Sequence, residues 1–556
     1  MSSSNGFLPP KKIVLLFSCL LCLIAPLYYA YLITVNTVNA PRWDDYDSIV
    51  NFFNLFMTSD SIAHKVSLIL HQHNEHRLGF ARLISVIVFY LKGSLDFTLL
   101  CYIGNAALVF IAFFLFRAFK IVGRYKLLLF SPVLFFLFQP QYFDTLLWPT
   151  VLLSNFYVFL FALLVLILLC RKNPFSFFIA CILAGVATYT QGNGFLVLAV
   201  GLIVVLMQGD RKKSVIWLSL SVLILVSYFS GYKQLPGQTN VFHVFMNLRN
   251  TVLYGFCFIG SAAGFFAYYP SFAFGILIVL YFLFLTIIKY FKNNPVIYFL
   301  FLFILLTVGL NTVFRSGRGV EYVLAQPRYK FIGVSFLILT YLSLYEIMQK
   351  KKKEKYVALV GLLVASGFFF ASSYNYTPDV IRNSETLRRG LLSWYVDGTG
   401  LFYPYPVKAN LILNKASNNE LYRIPEKLLQ EFSGEPHIFD EKDFNKKLRF
   451  SIAKFAENAD YIYIDGWAHL INAGIRNQEI LIIFKSSDHI FAVPTHSIKR
   501  PDVAAIFKSA ELSHSGFGVL IKKSLLQPGR YQIGLYVEHL EDSAISFTER
   551  YIEIER

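Results

Sequence analysis

Long apolar runs separated by short polar breaks fill the first two thirds of the chain, and the last third changes to an alternating pattern. Read against the length needed to cross a bilayer, the runs predict spans at 13–35, 97–116, 127–140, 150–170, 175–190, 195–207, 214–230, 270–288, 296–314, 331–348 and 356–374. The first follows Lys11 and Lys12 and continues without a small-residue cleavage site, which predicts a retained anchor. Segments 80–92 and 251–266 are weaker and read as interfacial or re-entrant. Beyond 455 the apolar residues alternate ("YIYIDGWAHL", "EILIIFKSS", "YQIGLYVEHL") between turn signals such as "QPGR", the pattern of short strands. The fold class expected is therefore a polytopic α-helical membrane protein with a C-terminal domain. It comprises a transmembrane domain over 1–375 with a long first loop at 36–96, an α+β connector over 376–454 lying on the membrane, and a β-sandwich over 455–556.

Charge adds a direction. The basic clusters Lys11/Lys12, Arg117–Lys126, Arg171/Lys172, Arg211–Lys213, Lys289/Lys292 and Lys350–Lys355 all fall on one side if there are eleven spans, and that side is then the cytoplasm. The first loop and the tail are expected on the opposite, extracytoplasmic side. Composition agrees with membrane residence: of 556 residues 56% are hydrophobic, 17% aromatic and only 15% charged, where soluble domains carry about 25% charge. A formal charge of +17 would suit nucleic acid, but the cations sit between apolar runs and no nucleic-acid motif accompanies them. The six cysteines, Cys19, Cys22, Cys101, Cys170, Cys181 and Cys257, lie in apolar stretches, so neither a disulfide framework nor a cysteine metal cage is expected.

Three polar groupings stand out, with smaller polar features beside them. "PRWDDYD" places Asp44, Asp45 and Asp47 just beyond the first span, and paired carboxylates are what general-base chemistry needs, one accepting a proton while a neighbour orients it. "HQHNEHR" follows at 71–77. Its spacing fits neither zinc helix motif, HExxH or HxxEH. If the segment is helical, His73, His76 and Arg77 share a face suited to an anion, with Glu75 to the side. A metal held by His73 and His76 stays open. "FRSGRGVEYVLAQPRYKF" (314–331) gathers Arg315, Arg318, Arg328 and Lys330 against Glu321 alone, with Pro327 setting Arg328 and Tyr329 at the start of a span. Asp144 and Trp148 in "QPQYFDTLLWPT", and Gln191 and Asn193 in "TYTQGNGF", are smaller polar features, the latter read as a tight hairpin. "GYKQLPGQTN" (231–240) reads as a loop able to act as a lid.

In order and sidedness, these pieces resemble the GT-C superfamily of polyprenyl-phosphate-sugar-dependent glycosyltransferases, which includes protein O-mannosyltransferases, the aminoarabinose transferase acting on lipid A, and bacterial O-antigen-modifying glucosyltransferases. The residues carrying the likeness are Asp44 and Asp45 in "WDDYD", "NEHR" at 74–77, "LLWPTVLLSN" at 146–155 and "PRY" at 327–329. It covers about residues 10–375. The tail separately resembles β-rich, carbohydrate-associated appendages through "GWA", "RPDVAAIF", "SGF" and "LQPGRYQI". The resemblance implies that Asp44 or Asp45 is the general base, with Asp44 favoured, and that Arg77 and Arg328, with Tyr329 beside the latter, hold the lipid phosphate. Roles for His73, His76 and Glu75 rest on the residues themselves. Glu75, Asp144, Trp148 and Arg318 are candidates for the acceptor side or for supporting contacts.

The activity this implies is inverting transfer of glucose or a similar hexose from a polyprenyl-phosphate donor to a cell-surface glycan such as O-antigen, at the outer face of a bacterial inner membrane. Partners would be the lipid-linked donor, a glycan or lipid-linked glycan acceptor and membrane lipids, without nucleic acid. No obligatory cofactor is expected, since guanidinium groups can clamp the leaving phosphate, and a divalent metal is left open. The rival classes are a lipid-linked glycan transporter or flippase and an O-antigen-polymerase-like enzyme. A transporter is expected to show midplane ionisable residues or inverted repeats, and the sequence offers neither.

Overall fold

Asparagine–proline pairs mark where several helices begin. The Asn173 side chain accepts the N–H of Phe175 and Pro174 opens the helix Pro174–Thr188, while Asn294 does the same for Ile297 ahead of Pro295. Both use the first turn, where a proline's missing N–H costs nothing. The computed structural model describes residues 10–121, 125–171, 173–233, 244, 246–266, 268–439 and 444–555. Residues 234–240 of the segment read as a lid lie outside the described residues.

Every segment read as a span is helical. Among the described residues eight helices are long and apolar enough to cross a membrane, from Leu15–Asn36 to the 44-residue Glu354–Asp397. Three expected spans are shorter: Pro174–Thr188, Leu196–Met207, and Lys126–Leu137 with 12 residues. Lys126–Leu137 gives way to a 3-10 turn at Pro140–Tyr142. Segments 80–92 and 251–266, read as interfacial, form the 14-residue Gly79–Lys92 and the 12-residue Leu248–Ile259, both too short to span. Outward faces are apolar: Val215, Leu223 and Val226 of Arg211–Phe229 are exposed, as in helices that face lipid. The chain reads as a multi-pass membrane protein.

The residues fall into two compact units. One contains 1–35, 55–91 and 99–377, and the other 36–54, 92–98 and 378–556. The first loop therefore does not stay in one piece, because its opening stretch packs with the tail. Within the helical unit a buried carboxylate ties elements together. Glu346 accepts from the Lys120 N–H at 2.8 Å, the Tyr290 hydroxyl at 2.7 Å and Asn294 Nδ2 at 2.9 Å. An apolar interior tolerates an acid only when it is satisfied in this way.

In the second unit the segment expected as an α+β connector holds the end of Glu354–Asp397, then Pro406–Asn418 and Glu426–Phe432, followed by the first strands of the tail. The strands begin earlier than 455. β1 (Gln72–His73) and β2 (His76–Arg77) belong to the helical unit. β3 (His437–Ile438), β4 (Leu448–Glu457), β5 (Tyr461–Leu470), β6 (Glu479–Lys485), β7 (Ile490–Pro494), β8 (His496–Ile498), β9 (Gly516–Lys522), β10 (Gly529–His539) and β11 (Asp542–Ile554) make the tail. They form two sheets, ordered β11-β10-β6-β7-β3 and β4-β5-β9-β8, with antiparallel pairing throughout. Alternation decides the faces. Ile462, Ile464, Ala468 and Leu470 of β5 enter one core with Ile482 and Phe484 of β6 and Ile533 and Leu535 of β10.

On the other face of β5 the carboxylate of Asp465 is buried and receives Arg389 of the long helix. Removing one partner of such a pair strands the other charge. Arg389→Met is expected to lower the stability of the C-terminal unit by about 3–5 kcal/mol, read as a fall in the thermal midpoint of the full-length protein. Arg389→Met together with Asp465→Leu should recover most of it.

Candidate functional site

Asp44 sits in a turn that the chain does not enter cheaply. Trp43 takes a left-handed backbone, φ 47°, a conformation that a bulky residue adopts only when its surroundings enforce it. Here the Trp43 N–H bonds the Phe402 carbonyl at 3.1 Å, and the two rings meet edge to face at 6.0 Å. A π-helical turn, Tyr46–Val50, follows immediately, a widened geometry common at functional sites. The three acids then separate by environment. Asp45 is 0% exposed and its Oδ2 accepts the Arg42 N–H at 3.0 Å, closing the turn. Asp47 accepts the Tyr403 hydroxyl and pairs with Lys408 at 2.7 Å. Asp44 is half-buried. Of Asp44 and Asp45, Asp44 is the one partly open to solvent, while Asp45 is sealed.

The second constellation lies in the helical unit. "HQHNEHR" is a two-stranded hairpin rather than the helix expected: β1 pairs with β2, Gln72 facing Arg77 and His73 facing His76. Asn74, with φ 48°, makes the turn, a backbone state asparagine tolerates. The shared helical face of His73, His76 and Arg77 therefore does not exist. The hairpin instead holds Glu75 at its tip. Glu75 Oε2 lies 3.1 Å from Arg315 Nη2 and 3.9 Å from His76 Nε2. Arg315, at the end of Pro295–Arg315, also donates through Nη1 to the Tyr329 hydroxyl. Arg318 Nη1 donates to the Tyr322 hydroxyl at 2.8 Å, and Arg328 Nη2 reaches the same oxygen at 3.5 Å. The Arg328 guanidinium also lies 5.6 Å from the ring centres of Trp148 and Tyr329, with its Nε buried and unpartnered. Arg315 thus closes an ion pair on Glu75, and Arg318 and Arg328 meet at the Tyr322 oxygen, Arg318 being exposed as Glu321 is.

Electrostatics follow the geometry. Burial alone would raise the Glu75 carboxyl, but Arg315 and His76 hold it below its ordinary value. Burial, with Arg315 beside it, pushes His76 down to about 4. Tyr322 is lowered although burial opposes this, because Arg328, Arg315 and Arg318 favour phenolate. Acid should loosen this hairpin. An unfolded chain takes up a proton on His76 near pH 6.5 that the folded hairpin refuses until about 4. The stabilising ionised form of Glu75 is likewise lost as pH falls through its depressed value. Hydrogen exchange of the 72–77 amides is expected to accelerate, beyond the intrinsic pH trend, as pH drops from 6.5 to 4, and His76→Phe should flatten that response.

Other candidates are placed differently. Arg77, expected on phosphate, turns Nε to the Tyr228 carbonyl (2.7 Å), Nη1 to Leu70 (2.8 Å) and Nη2 to Ser230 (2.6 Å). It pins the hairpin to its surroundings, and Arg82 caps the preceding helix through the Leu68 and His71 carbonyls. His73 Nε2 meets the Asn74 amide at 3.2 Å. Asp144 is half-buried on the short helix Phe143–Leu146. Gly192 of "TQGNGF" has a specific purpose: a Cβ there would run into His76 Nδ1. Among the described residues, no three His, Cys, Asp or Glu side chains are grouped so as to hold a metal ion. Tyr322, Tyr403 and Lys408 are the additions that the sequence did not single out, and Arg315, named there only within the basic patch, gains Glu75 as a specific partner.

No protein-family model matches the chain, nor does any curated protein or solved structure.

Proposed function

We propose that the protein is an inverting glycosyltransferase that moves a hexose from a polyprenyl-phosphate donor to a cell-surface glycan at the outer face of a bacterial inner membrane. The observation that carries this reading is the gathering of Arg315, Arg318 and Arg328 around Glu75, Tyr322 and Tyr329 at the ends of membrane-length helices. Guanidinium forks match the oxygens of a phosphate, and a site with one acid among three such cations is built for an anion. Arg328 and Tyr329 keep the phosphate role that the resemblance implies. Arg315 and Arg318 take the place of Arg77, whose donors are spent on carbonyls.

In the reaction this reading implies, the acceptor hydroxyl oxygen bonds the anomeric carbon as its proton passes to a carboxylate, the role the resemblance implies for Asp44. The bond from that carbon to the phosphate oxygen breaks, and its electron pair leaves on the polyprenyl phosphate. The arginines stabilise the charge gathering there. The test is donor consumption: membranes containing the full-length protein are given a panel of polyprenyl-phosphate sugars with glycan acceptors, and release of polyprenyl phosphate is followed. Release dependent on both acceptor and Asp44 supports the reading. A protein that moves lipid-linked sugar across vesicles without releasing phosphate would overturn it.

A further inference from the structure

Asp47 is the third acid of the first loop, and its two oxygens are held by two groups from one short stretch of the tail. Tyr403 donates to Oδ2 and Lys408 Nζ sits 2.7 Å from Oδ1. The placement of Lys408 is unusual. It falls in the first turn of Pro406–Asn418, which carries no acid of its own there, and a cation at a helix N-terminus opposes the helix dipole. Its side chain is also half exposed, where an ion pair contributes little to folding. Neither helix formation nor stability accounts for a lysine at this position, whereas the neighbouring carboxylates do. Burial together with Asp47 and Asp44 raises the Tyr403 phenol, so it remains a proton-bearing donor throughout the neutral range.

We propose that Lys408 and Tyr403 are positioning residues which neutralise Asp47, so that Asp44 stands beside a compensated acid and stays ionised to accept a proton. Asp44, Asp45 and Asp47 fall within four positions, and carboxylates so close raise one another's affinity for a proton, an effect that a cation paired with Asp47 reduces. Asp45 is sealed against the Arg42 N–H. Charged or titratable groups near these acids include Arg42, whose guanidinium lies over the Phe402 ring, Tyr46 and Tyr405, which both pack on Tyr403, and Tyr422, whose phenol acts on Tyr46. Lys408 is the cation whose ion pair closes on Asp47. The catalytic meaning of this arrangement rests on the transferase reading, but the electrostatic claim does not.

The test reads protonation without substrate. Full-length protein in vesicles is treated with a hydrophobic carbodiimide, which attacks protonated carboxyls, across roughly pH 4–8. Adducts on Asp44 are localised by peptide fragmentation. Lys408→Met is expected to move the midpoint of Asp44 labelling upward by about half to one pH unit, Tyr403→Phe to move it less in the same direction, and Lys408→Arg to restore it. An Asp44 midpoint unmoved in folded Lys408→Met and in Tyr403→Phe overturns the proposal. Asp44→Asn in the donor-consumption assay reports on the transferase reading separately: undiminished release there would sink that reading and leave the labelling result standing.

Discussion

Asp44→Asn is expected to cut sugar transfer by a factor on the order of 10² or more while leaving the thermal midpoint near that of the unaltered protein. Asp45→Asn should do the reverse. Asp45 is fully buried and its carboxylate receives the Arg42 N–H. An amide oxygen retains an acceptor but loses the charge, so the turn weakens and the whole unit melts earlier, with residual transfer well above that of the Asp44 variant. The two are adjacent in sequence and carry the same functional group, so the contrast isolates what burial does to otherwise identical side chains. Initial rates and melts on the same preparations decide it. Equal loss of transfer with unchanged melting in both variants would remove the basis for choosing Asp44.

Arg315→Ala is expected to have the second largest effect, on two observables at once. It strips the partner from a half-buried Glu75, which destabilises, and it removes a guanidinium from the phosphate cluster, which should raise the donor KM at least tenfold, about 1.4 kcal/mol. Adding Glu75→Gln separates the two. If Glu75 serves as counterion, the double variant regains its melting temperature and keeps the raised KM. Recovery of both would assign Arg315 to Glu75 alone and leave phosphate binding to Arg318 and Arg328.

The helices are legible because about twenty apolar residues in a row have few other uses, and the strands because residues entering the core recur at every second position, as Ile462, Ile464, Ala468 and Leu470 do in β5. Lengths were less legible. The "NP" at 173–174 and the "QGNG" at 191–194 trim their neighbours to 15 and 12 residues. The hairpin at 71–77 misled because a helical-face argument presupposes a helix, whereas Asn74 takes a left-handed turn and two residues on each side are enough for strands. Arg77 looked like an anion clamp since its carbonyl partners, Tyr228 and Ser230, lie about 150 residues away and backbone acceptors leave no trace in composition. Arg315 is visible in sequence only as one cation of a patch for the matching reason: its partner, Glu75, lies 240 positions earlier. Asp44 and Asp45 could not be told apart without knowing which one the turn encloses. Lys408 was hidden in a stretch that reads as plain connector.

The splitting of the first loop has a consequence for biogenesis. Residues 36–54 emerge early from the ribosome, yet what holds them arrives only after the membrane-length helices: Trp43 bonds Phe402, Asn54 bonds the Ile412 carbonyl at 3.0 Å, and the Tyr422 hydroxyl reaches the Asn39 carbonyl at 2.7 Å. Such distant pairings close slowly and late. The acidic turn must therefore wait, unformed, while more than three hundred further residues are made and inserted. A nascent chain that stops short of Phe402 would carry its membrane-length helices and still lack the groups that close the acidic turn.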